Sequence, residues 1–134
     1  CVISKNKESA PIYDTQTNKI IGYGYKGFAV SIENQKDGKT YFSMSINDYS
    51  APDKVITKEF FIAIEYLEKG YKEPFAIIEI ISLDMILLKE NANICDENGK
   101  VIVKITDKFG PIRFIQKTDK GYQFVMGFNI VYVN

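Results

Sequence analysis

The sequence predicts an all-β protein. Short runs alternate apolar and polar residues, the period of half-buried strands. Turn pairs such as Asp37-Gly38 and Asn98-Gly99 punctuate them. The pattern also occurs twice, and internal repetition shapes a fold more than any single motif. Residues 7–14 read Lys-Glu-Ser-Ala-Pro-Ile-Tyr-Asp, and residues 89–96 read Lys-Glu-Asn-Ala-Asn-Ile-Cys-Asp. One residue of slippage later, Asn18-Lys19-Ile20-Ile21 meets Gly99-Lys100-Val101-Ile102. Val30 and Ile32 then face Ile112 and Phe114, Asp37 faces Asp119, and Tyr41 lies opposite Tyr122.

In the first unit Ala10 to Tyr13 enters a turn at Asp14 to Asn18. Lys19 to Tyr25 is a short strand, and Phe28 to Glu33 alternates as another. Asp37-Gly38 turns the chain into Thr40 to Met44. Asn47 to Lys54 is polar, carries Pro52, and reads as a long loop that the second unit lacks. Residues 58–69 fit either a helix capped by Thr57 and stopped at Gly70, or a strand carrying Phe60, Ile62, Ile64 and Tyr66 on one side. The strand is preferred, ending in a helical turn over Glu65 to Gly70. In the second unit Asn98-Gly99 is the strongest hairpin signal, because a type I′ turn needs positive φ at both central residues. Val101 to Ile105, Ile112 to Ile115, Tyr122 to Phe128 and Ile130 to Val133 follow as strands, with a turn at Asp119 to Gly121. Phe75 to Leu88 is the most apolar stretch, broken only by Glu79 and Asp84, and reads as core strand. No apolar run reaches the roughly 18 residues of a membrane helix.

These residues also carry a family resemblance. Ala10-Pro11-Ile12-Tyr13-Asp14, Lys19-Ile20-Ile21-Gly22 and Lys26-Gly27-Phe28-Ala29-Val30 resemble the bacterial SH3-like (SH3b) family. Ala92, Ile94, Asp96, Lys100, Ile102 and Lys108 keep part of that pattern in the second half. Phe61 to Leu67 is similar to the family's closing strand. The glycine-tryptophan-valine ending common in the family is absent, since the chain has no Trp. The resemblance implies two small SH3-like barrels in tandem, residues 1–70 with an insertion near 47–58 and residues 71–134, with a short helical turn between them. It also implies an extracytoplasmic setting, no catalysis, and binding of cell-wall peptides or proteins.

Composition narrows the chemistry. The chain has 134 residues, 17 basic and 17 acidic side chains, and no His. Without His there is no Ser-His-Asp or Cys-His catalysis and no imidazole metal ligation. Residues 1–70 hold nine Lys and nine acids; residues 71–134 hold seven Lys, Arg113 and eight acids. Neither half has the positive field that nucleic acid requires. Gly22-Tyr23-Gly24-Tyr25-Lys26-Gly27 matches GxGxxG, yet a strand pattern follows it where a dinucleotide site needs a helix. Its glycines read as bends in tightly curved strands. No two carboxylates are marked as a facing pair, and Asp14, Asp37, Asp96 and Asp119 already serve turns. No enzyme, cofactor or metal site is therefore expected.

Tyr23, Tyr25, Phe28 and Tyr41 cluster around the glycine-rich turn, with Phe28 also readable as core, and Tyr122 and Tyr132 are the analogous residues of the second half. Each tyrosine offers an apolar face and a polar tip, which suits a ligand groove. The expected function is a non-catalytic cell-envelope module recognising a wall peptide or a protein partner through Tyr23, Tyr25, Tyr41 and Tyr122. The rival is a secreted or periplasmic inhibitor or immunity-type protein acting through the 47–54 loop. Cys1 and the polar stretch after it suit a lipid-anchored lipoprotein, the one expected membrane link. Cys95 reads as a small buried apolar residue.

Overall fold

The computed structural model describes residues 2–4, 9–31, 34–47, 54–71 and 84–134. They form an all-β architecture of fifteen strands, with a 3-10 turn at Ile64–Tyr66. The first half contains β1 (Val2–Ser4), β2 (Ala10–Asp14), β3 (Ile20–Gly24), β4 (Ala29–Val30), β5 (Gln35–Lys36), β6 (Lys39–Asn47), β7 (Val55–Ala63) and β8 (Leu67–Lys69). The second contains β9 (Met85–Leu88), β10 (Asn93–Cys95), β11 (Val101–Ile105), β12 (Phe109–Arg113), β13 (Gln116–Thr118), β14 (Gly121–Met126) and β15 (Asn129–Val133).

Ten strands join one sheet in the order β13-β14-β15-β10-β11-β3-β2-β7-β6-β5. The order reads alike from both ends: within each half, equivalent strands pair with equivalent strands. Two short sheets, β4-β1-β8 and β12-β9, complete the fold. The sheets do not close, which corrects the expectation of two closed barrels. The edge of β3 that closure would use is bonded to β11 of the other half.

That seam is two-fold in pattern. Gly22 pairs with Ile105, Tyr23 with Lys104 and Gly24 with Val103. The Tyr25 amide donates to the Ile102 carbonyl at 2.8 Å, and the Thr106 amide to the Ile21 carbonyl at 2.9 Å. With the offset of 81 that aligns the two strands, each of these bonds is the image of the other. The glycine-rich segment therefore builds a junction. A Cβ on Gly22 would sit 2.7 Å from the Lys104 carbonyl oxygen, so any side chain there would push the strands apart.

Alternation in the sequence sets the layers. Phe42, Met44 and Ile46 of β6 turn inward, as do Phe60 and Ile62 of β7. The short sheets cover this inner face. Phe28 packs edge-on against Phe42 at 5.7 Å, and Phe109 against Phe60 at 5.3 Å. One buried cluster thus takes Phe28 and Phe60 from the first half with Ile94 and Phe124 from the second. The β14–β15 turn also reaches across: buried Asn129 accepts the Ala29 amide at 3.1 Å and donates to the Ala29 carbonyl at 2.9 Å.

Turns follow local chemistry. Asp14 Oδ1 accepts the Gln16 amide at 2.8 Å, and Asp96 Oδ1 accepts the Asn98 amide at 2.9 Å, the same capped turn in both halves. Asp37 and Gly38 both have positive φ, as a type I′ hairpin requires. At 98–99 only Gly99 does (φ 81°), because the Asp96 carboxylate organises a wider turn there. Residues 55–63 are strand and Ile64–Tyr66 a 3-10 turn, so alternation outweighed the helix reading. Asn47 pairs with Val55 and Ser45 with Thr57, so Asn47 and residues 55–58 of the expected insertion are strand in the β6–β7 hairpin. Its residues 48–53 lie outside the described residues. The strand expected over 28–33 shortens to Ala29–Val30, with Ile32 and Glu33 outside the described residues. Of the apolar 75–88 stretch, 75–83 including Glu79 lies outside them; Asp84 is exposed and β9 follows.

Candidate functional site

The outer face of the long sheet carries an aromatic row. Tyr41 on β6 is the direct partner of Phe61 on β7, and Phe61 is the direct partner of Tyr13 on β2. Cross-strand neighbours on one face meet side chain to side chain. The Tyr13 and Phe61 rings stack at 4.9 Å with an interplanar angle of 11°, and Tyr41 leans on Phe61 at 5.8 Å. Lys39 sets its ammonium 4.6 Å from the Phe61 ring centre. The stack sinks Phe61 to 8% exposure and leaves Tyr13 and Tyr41 half-buried.

A cleft of about 360 Å³ adjoins this row, lined by Gln35, Lys36, Tyr41, Ser43 and Glu59 among others. It offers one aromatic wall, one ammonium, one carboxylate and several neutral polar groups. That mixture holds a flat or apolar ligand face while polar groups fix its orientation. Glu59 is the one carboxylate in this lining, so it has no partner for acid–base work there. Among the described residues no three metal-ligating side chains converge.

The second half builds the same row from different chemistry. Gln123, Tyr132 and Cys95 occupy the equivalent ladder positions. Gln116 Nε2 donates to Gln123 Oε1 at 3.1 Å, and Gln123 Nε2 donates to Tyr132 Oη at 3.0 Å. Lys120 lies 5.7 Å from the Tyr132 ring centre, echoing Lys39. This row bonds to itself, so it presents less unsatisfied surface. Cys95 carries a free thiol, pushed up from its ordinary pKa by burial first and by the Asp96 carboxylate second. A thiol held protonated is a poor nucleophile.

The four tyrosines expected to share a ligand are not brought together. Tyr23 sits at the seam, opposite Lys104 and beside Pro11. Tyr25 lends its amide to the same seam. Tyr41 is three strands away, about 14 Å at ordinary strand spacing. Tyr122 faces inward, edge-on to Phe114 at 4.9 Å. Tyr41 pairs with Phe61, and the residue paired with Tyr132 is Gln123, so Tyr122 is one ladder position out of step with Tyr41. One position reverses the face. Sequence reasoning missed Tyr13, Phe61 and Lys39. Tyr13 was findable, since it alternates with buried Ile12; its meeting with Phe61 depends on the long-range β2–β7 pairing. Cys1 lies outside the described residues.

Comparison with protein-family models, with curated proteins and with solved structures found no match to this chain.

Proposed function

We propose that the protein is a non-catalytic binding module of the cell envelope that recognises a wall peptide or a protein partner through the Tyr13–Phe61–Tyr41 row. The observation that carries this reading is the stacked row itself. Three aromatic side chains from three strands, with an ammonium over the central ring, lie on the face turned away from the core. Tyr and Phe platforms of this kind give contact area at little conformational cost. The envelope setting rests on the family resemblance of the sequence.

In this reading the halves are copies of one SH3-like unit, opened and joined through β3 and β11. Matching strand pairings and the repeated Asp14 and Asp96 turns support it. The copies then diverged: the first kept an aromatic outer row and the second acquired a self-bonded one.

Retention on purified peptidoglycan tests the reading. The wild type is retained, and Tyr41→Ala or Tyr13→Ala weakens binding by about tenfold or more, the loss of roughly 1.4 kcal/mol. An unretained wild type excludes wall binding. Equal retention of both variants excludes the row as the site.

A further inference from the structure

The cleft beside the aromatic row carries charges that the strand pairing does not need. On the outer face of β6 the rungs run from Lys39 through Tyr41 to Ser43. Lys39 is paired with Lys36 on β5, Tyr41 with Phe61 on β7, and Ser43 with Glu59 on β7. Lys36 and Glu59 both line the cleft, and the rung of Tyr41 lies between theirs. Both are exposed. Thr15 holds the Glu59 backbone, its amide donating to the carbonyl at 3.2 Å and its hydroxyl at 3.1 Å. Among the described residues neither the Glu59 carboxylate nor the Lys36 ammonium has an ion-pair partner. In the second half the same ladder positions are neutral. Thr118, paired with Gly121, stands where Lys36 pairs with Lys39. Ile130, paired with Val125, stands where Glu59 pairs with Ser43. The pairings persist without the charges, so the charges serve something other than the strands.

We infer that the cleft binds a short zwitterionic peptide, with its free carboxylate at Lys36, its ammonium at Glu59 and an apolar side chain against Tyr41. This rests on the aromatic row being a binding site and names the ligand that its neighbourhood selects. Opposite charges at the two ends of one cleft favour a ligand carrying the reverse order of charge and penalise one that lacks either end. The rungs of Lys36 and Glu59 are four residues apart along β6, about 13 Å. An extended tripeptide spans about 10 Å, and the two long side chains close the remainder. The cleft volume of about 360 Å³ is at the small end of ligand clefts, roughly 300–1,000 Å³, which is room for a peptide end and not for a folded surface. Lys39 already sets its ammonium 4.6 Å from the Phe61 ring centre, so Lys36 is the cation left to meet the carboxylate.

The test titrates the isotopically labelled full chain with the free tripeptide Ala-Leu-Ala, with its C-terminal amide and with its N-acetyl form. The expected result is saturable amide shifts at 35, 36, 41, 43 and 59 below about 10 mM free peptide, each cap weakening binding about threefold, the scale of one exposed ion pair. In Lys36→Gln the amide cap no longer costs affinity, and in Glu59→Gln the acetyl cap no longer does. Both side chains are exposed, so neither variant disturbs the core. Three outcomes overturn the inference: no saturable shifts, equal binding of free and capped peptides, or cap penalties that persist in both variants. Retention on peptidoglycan reports on the row separately. A retained wild type whose peptide binding ignores the caps overturns the zwitterion and leaves the row standing. Cap-dependent binding by a chain that peptidoglycan does not retain upholds the cleft and removes the wall as the source of its ligand.

Discussion

Asn129 shows how much one side chain can hold. It is fully buried, and its amide meets both backbone groups of Ala29 as well as the Met126 carbonyl, at 3.1, 2.9 and 3.0 Å. A buried amide with no partner costs about 1–3 kcal/mol, and two lost bonds add to it. Asn129→Ala is therefore expected to lower the unfolding free energy by about 2–4 kcal/mol in urea denaturation, with little change in slope. A drop below about 1 kcal/mol would mean that water replaces the side chain at Ala29. Asp14 makes a useful contrast. Its contact with Lys58 at 3.3 Å is partly exposed on the lysine side, and such pairs contribute at most about 1 kcal/mol. Its amide cap on Gln16 is the more general device, because Asp96 repeats it without the lysine. The sequence made those two aspartates legible as turn residues, since their chemistry is local. It hid Asn129, whose partner is 100 residues away.

At the scale of elements, turn chemistry and side-chain period decide the structure. Gly38 has φ 75° and Gly99 φ 81°, both in the left-handed region, and open space surrounds each Cβ position. Substitution by Ala therefore acts through backbone strain alone, about 1–2 kcal/mol per site. Gly38→Ala and Gly99→Ala are each expected to lose that amount by thermal or urea unfolding. A loss at only one site would show that the two turns tolerate L residues differently. Alternation made β6 legible from residues alone, and it chose strand over helix for 55–63. It failed for Phe61, which is buried beside buried Phe60 and Ile62. The outer face at that point is covered by Tyr13 and Tyr41, so burial there comes from both sides of the sheet and the period of two disappears. It failed again for Tyr122, where one residue of slippage exchanged outer face for inner. Register is a property of pairs of strands, and a single run of residues does not contain it.

The whole molecule depends on the seam. The β3 and β11 strands meet antiparallel with matching bonds on either side of the Tyr23–Lys104 pair, the arrangement that identical surfaces adopt when they pair face to face. The matching sequence patterns of the two halves were readable; how the halves join was not. Two similar halves in tandem suggest two closed bodies, whereas halves sharing a sheet edge yield one ten-stranded sheet and one buried cluster. Shared burial couples the halves, so unfolding is expected as one transition: amide signals from β6 and from β14 disappear at the same urea concentration. Gly22→Ala tests the coupling at its tightest point. The new methyl group meets the Lys104 carbonyl at 2.7 Å, and overpacking of that kind costs about 1–3 kcal/mol. The substitution lies on β3, in the first half. Independent halves would lose stability only in β6, while halves joined through the seam lose it in β6 and β14 together and by the same amount.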